Sequence, residues 1–84
     1  MNDSIIGFAW FTTNKGVIGV VIKNPDDIRA YISVVDGLLP LTDLEMVMNH
    51  GAPLDLKAAV TIVMAHGQIK QPEIFNGLKE LFVL

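Results

Sequence analysis

The sequence contains no cysteine. That excludes disulfides, a thiolate nucleophile and cysteine-ligated zinc. It also fits a reducing compartment, so a cytoplasmic location is expected. Charge is scarce: Asp, Glu, Lys and Arg make up 18% of the residues. The six basic side chains are Lys15, Lys23, Arg29, Lys57, Lys70 and Lys79, scattered singly against nine acidic ones for a net charge of −3. Duplex nucleic acid is held by a stripe of basic residues, which this chain lacks, so nucleic-acid binding is not expected. No apolar run approaches the roughly 18–20 residues of a membrane span. The opening stretch MNDSIIGFAWF is acidic rather than basic and lacks the layout of a signal peptide. A water-soluble protein without membrane contact is the expectation.

What the chain has in excess is apolar surface. Its 84 residues allow one domain, 1–84, yet 51% of them are hydrophobic, and the mean hydropathy is +0.47. A small domain has the most surface to cover for its volume. The apolar excess therefore points to a subunit interface, and a homo-oligomer, at least a dimer, is expected.

Local patterning predicts an α+β fold, a three-stranded antiparallel meander over 1–37 followed by two to three short helices over 41–84. Ile5–Thr12, Val17–Lys23 and Ile28–Val35 are rich in β-branched and aromatic residues. Thr13-Asn14-Lys15-Gly16 and Asn24-Pro25-Asp26-Asp27 supply turn chemistry between them. Period two places Phe8 and Trp10 opposite Gly7, Ala9 and Phe11, and Arg29, Tyr31 and Ser33 opposite Ile28, Ala30 and Ile32. Neither face of the first two strands is polar, as when both faces of a sheet are covered. Helices can cover one face; a second subunit could cover the other. Thr42-Asp43-Leu44-Glu45 reads as a capping box opening a helix that ends at His50-Gly51. Pro53 suits the first turn of a second helix running to about His66. That helix is apolar nearly all round, which predicts burial nearly all round. Pro72 begins a third helix with Ile74, Phe75, Leu78, Leu81 and Phe82 on one face.

Chemical signals are few. Gly16-Val17-Ile18-Gly19 leads into a strand and lacks the GxGxxG pattern, so it is no phosphate loop. Asp26, Asp27 and Asp36 fall in turns, where Asp caps or bends the backbone. No catalytic residue is assigned and no enzyme is expected. Val47-Met48-Asn49-His50-Gly51 recurs as Val63-Met64-Ala65-His66-Gly67. The pair reads as two helix C-termini rather than a metal site, because no third ligand is spaced to join the histidines. No metal or cofactor is expected. The candidate ligand site is Arg29 and Tyr31 on one face of the third strand, with Lys23, Asn24 and Lys15 at the hairpin ends and Phe11 as a stacking ring. Arg can grip a phosphate with two parallel bonds, and an aromatic ring can stack on a base. The other reading of the same residues is a solvated sheet face.

The layout strand–TTNKG–VIGVVI, then RAYISVVDG, then a capped helix ending in NHGAP, resembles small phage and prophage proteins, and among them the Thoeris anti-defence sponges. That resemblance implies an N-terminal antiparallel sheet followed by helices. It also implies a symmetric oligomer and sequestration of cyclic ADP-ribose-type signals without cleavage. It carries no binding residue over to this chain. The function expected from sequence is thus a non-enzymatic protein that holds a small anionic, nucleotide-like ligand at a subunit interface to counter host defence. The alternative is a structural or protein-interaction module acting only through homo- or hetero-oligomerisation.

Overall fold

Near-continuous apolar runs along the first third of the chain produce a sheet with two apolar faces. In the computed structural model, which describes residues 5–33 and 44–81, β1 (Gly7–Thr13), β2 (Gly16–Asn24) and β3 (Asp27–Ser33) form an antiparallel meander. The first hairpin closes on Asn14-Lys15. Gly16 has φ 139, a value that L side chains rarely adopt. Thr13 fastens the turn: its hydroxyl donates to the Gly16 carbonyl at 3.1 Å and accepts the Lys15 N–H at 3.1 Å. In the second turn Asn24 Oδ1 accepts the Asp26 N–H at 2.8 Å.

The helices follow: α1 (Leu44–His50), α2 (Leu56–His66) and α3 (Pro72–Glu80). The fold is α+β with an antiparallel sheet, but that sheet has five strands rather than three, in the order β4-β3-β2-β1-β5. Two short strands between the helices, β4 (Ala52–Pro53) and β5 (Gly67–Ile69), extend its two edges. Pro53 therefore does not start α2. It sits opposite Arg29 in the outermost strand, where a missing N–H costs no ladder bond. The N-cap of α2 is Asp55, whose carboxylate accepts the Ala58 N–H at 3.2 Å. Pro72 does open α3, as its fixed φ favours. The proposed capping box at Thr42–Glu45 lies in part outside the described residues, as do Val34, Val35, Asp36 and Phe82.

Helices pack on both faces of the sheet. On one face, Ile6, Ala9, Val20, Ile22 and Ile28 form the main core with Ala59, Val60 and Val63 of α2 and Phe75 and Leu78 of α3. On the other, Val47 of α1 is buried with Ile5 and Val21, flanked by Phe8, Trp10, Tyr31, Leu44 and Met48. The second apolar face is thus partly covered from within the chain. The α2 helix, by contrast, is less enclosed than its composition predicts. Only Ala59, Val60 and Val63 are buried, while Thr61, Met64 and Ala65 are exposed.

The repeated pentapeptide has a structural reason. In each copy the Gly N–H donates to the carbonyl of the Val four residues earlier, closing the last turn of the helix. In each, that Val is buried against the sheet, Val47 on the α1 side and Val63 on the α2 side. In each, the chain leaving the Gly becomes an edge strand. The motif is a device for docking a helix on the sheet and then joining its edge, used once on each face and once at each edge. Its glycines are needed for close approach rather than for a left-handed exit. Gly67 has φ −116, and Gly16 alone has positive φ among the described residues. A Cβ on Gly51 would stand 2.3 Å from the Val47 carbonyl oxygen, and one on Gly67 2.3 Å from that of Phe8.

Candidate functional site

The six residues singled out from sequence do not gather at one place. Arg29 and Tyr31 share the α1 face of β3, since they lie opposite Val21 and Gly19 in register. Phe11 lies opposite Ile18 on the α2 face, where its ring stacks on His66 with centroids 4.6 Å apart. Lys15 is exposed at the tip of the first hairpin; Lys23 is half-buried at the far end of β2. Eight residue steps separate these two lysines, roughly 26 Å at strand rise. Asn24 uses its side-chain oxygen to hold the second turn. No single small ligand touches all six.

Arg29 is already engaged. Its Nε donates to Asp27 Oδ1 at 2.9 Å, and Nη1 donates to the carbonyl of Met48 near the end of α1. A guanidinium suits that position, where carbonyls left without helical partners carry partial negative charge. Tyr31 faces the same helix end, with its ring 6.3 Å from that of His50. The arginine thus fastens α1 to β3. Sequence pattern could not reveal this, because Asp27, Arg29 and Met48 meet only when α1 folds back on the sheet.

Two further surface features emerge. Phe8 and Trp10 form an edge-to-face pair with centroids 5.0 Å apart on the α1 face of β1. The ammonium of Lys70 stands 5.4 Å from the centroid of Phe8. A shallow depression of about 370 Å³ is lined by Gln71, Pro72, Glu73 and Ile74 at the start of α3. Among the described residues no three His, Cys, Asp or Glu side chains are grouped to hold a metal ion.

The exposed large apolar side chains are distributed unevenly. They are Ile32, Met64, Ile69, Ile74 and Leu81, with 40–68% of their surface open. Ile32 lies in register with Ile18 and Phe11, and Ile69 with Gly7 and Ile22, so both point to the α2 side of the sheet. Met64 belongs to α2 and Ile74 to α3, with Leu81 just past its end. All five therefore belong to the sheet face, or to the helices, on the α2 side of the sheet. The α1 side carries none among the described residues. Composition foretold the excess; only the register shows where it lies.

These features define a small α+β module with an antiparallel sheet, helices on both faces and one apolar side. Compared with protein families, curated proteins and solved structures, the chain matches none. No helix among the described residues is long and apolar enough to cross a membrane.

Proposed function

We propose that this protein is a non-enzymatic interaction module that works as a homo-oligomer, associating through the side of the sheet that carries α2 and α3. The observation behind this reading is the confinement of the exposed large apolar residues to that one side. Single exposed apolar side chains are ordinary on a protein surface, whereas five large ones on the elements of one side, with none on the other among the described residues, suit an interface. An assembly gives the excess apolar surface somewhere to go.

Sequestration of a nucleotide-like signal draws less support. Arg29 gives two of its five N–H donors to Asp27 and Met48, which holds its guanidinium against α1 and leaves only part of the fork for a phosphate. The other five candidates are spread over both faces and both ends of the sheet.

Sedimentation equilibrium at micromolar concentration tests the reading. The expected result is at least twice the chain mass of 9.2 kDa. A mass of one chain across the concentration range overturns it. Calorimetry with mononucleotides, dinucleotides and cyclic ADP-ribose-type signals provides the contrast. Stoichiometric binding that is lost in Arg29→Ala, with the fold retained, would return the sequestration reading to first place.

A further inference from the structure

We propose that Asn76 is a site of spontaneous covalent modification, converted to aspartate and isoaspartate when α3 opens, and that the conversion releases α3 from the core. It rests on α3 alone and stands whether or not the chain assembles.

Of the five asparagines in the chain, Asn76 alone precedes a glycine. Both residues are exposed within α3. A side chain on the following residue crowds the approach of its nitrogen to the Asn carboxamide. Gly77 has none, and beyond its chain neighbours and the helix backbone nothing lies within 4 Å of its Cβ position. The Gly77 nitrogen adds to Cγ of Asn76 and gives up its proton; the bond from Cγ to Nδ2 breaks and ammonia leaves. The succinimide so formed takes up one water at either ring carbonyl. One opening restores the ordinary backbone as aspartate; the other routes the main chain through Cβ as isoaspartate. No oxidant or reductant is involved. Asn24 cannot follow this course, because Pro25 has no N–H to lose. Asn14 and Asn49 precede Lys15 and His50, whose side chains stand in the way.

Intact α3 blocks the first step. Helix geometry aims the Gly77 N–H at the Glu73 carbonyl one turn back, away from the Asn76 side chain. The helix must therefore open, and its construction favours opening. Nine residues are too few to persist alone. No side-chain bond caps its start, Gly77 weakens its middle, and Phe75 and Leu78 are its buried anchors. Ile74 lies about 160° round the helix from Asn76, so contacts made through it leave Asn76 open.

Conversion then hinders reclosure. Glu73 lies three residues before Asn76 and Glu80 four after, so both neighbour it on the helix surface. A carboxylate at this position stands between two others. Isoaspartate also lengthens the main chain by one carbon between Phe75 and Leu78, which then cannot both regain their places in the core.

Peptide mapping by mass spectrometry tests this on the whole chain, held for weeks at mildly alkaline pH both folded and in urea. The peptide carrying Asn76 should gain the mass of an amide-to-acid exchange and separate into two chromatographic forms, more slowly in the folded chain than in urea. Gly77→Ala should lose the conversion over the same period. Hydrogen exchange on the converted chain should show protection lost in α3 and kept in β1 to β3. Asn76→Asp, which makes one product directly, should have a lower urea midpoint than the parent, and salt should narrow the gap. If the folded parent stays unconverted while the chain in urea converts, the proposal is overturned. It is overturned equally if the converted chain keeps the parental protection in α3.

Discussion

Three glycines distinguish packing from propensity at the level of single residues. Gly51 and Gly67 sit where helix meets strand, and a Cβ on either would lie 2.3 Å from a backbone oxygen. Ala at each should destabilise by about 1–3 kcal/mol, because backbone must move to admit the methyl. Gly77 is exposed within α3, and nothing lies within 4 Å of its Cβ position. Gly77→Ala should stabilise by about 0.5–1 kcal/mol by removing backbone freedom from the unfolded chain. Urea midpoints for the three variants check both signs at once. Arg29 offers a second residue-scale contrast. Losing its charged donor to the Met48 carbonyl should cost about 1.5–3 kcal/mol. The ion pair with Asp27 is partly open to solvent, at 38% and 28% side-chain exposure. Asp27→Ala should cost no more than about 1 kcal/mol, and salt should reduce that further. A double-mutant cycle in low and high salt separates the two contributions.

At the scale of elements, the two longer helices begin by different means. α2 starts at Asp55, whose side chain accepts the Ala58 N–H. Asp55→Ala should lower stability by about 0.5–2 kcal/mol, while Asp55→Asn, which keeps the acceptor, should stay near the parent. α3 starts with Pro72 and has no side-chain cap bond at Gln71. Hydrogen exchange should therefore find the first turn of α3 opening more readily than that of α2. With seven residues, α1 is too short to persist alone. It is held by Val47 in the sheet and by Arg29 at its end.

For the whole molecule, the proposed association through the α2 side would tie stability to assembly. If the folded chain assembles and the unfolded chain does not, mass action raises the melting temperature with protein concentration. Calorimetric scans over a hundredfold range of concentration should show that rise in the parent. They should show it weakened or gone in Met64→Glu, which puts a charge on the exposed apolar side. A melting temperature independent of concentration in the parent would count against the assembly.

Strands β1 to β3, the ends of α1 and α2 at His50 and His66, and the Pro72 start of α3 were all legible in the sequence. Each depends on a neighbourly rule: alternation, turn residues, a Gly that follows a helix, a Pro that precedes one. The abundance of apolar surface was legible too, since composition counts residues wherever they end up. The remainder needed residues distant in sequence to be brought together. β4 and β5 are too short for any pattern to announce, and they exist because β3 and β1 offer open edges beside the two helix ends. Pro53 reads as a helix start from its neighbours alone, but Arg29 on the facing strand makes it an edge residue. Arg29 looked free for a ligand because its partner carbonyl, on Met48, lies nineteen residues away. The side on which the exposed apolar residues gather was likewise settled by strand register and helix docking, which local sequence cannot encode.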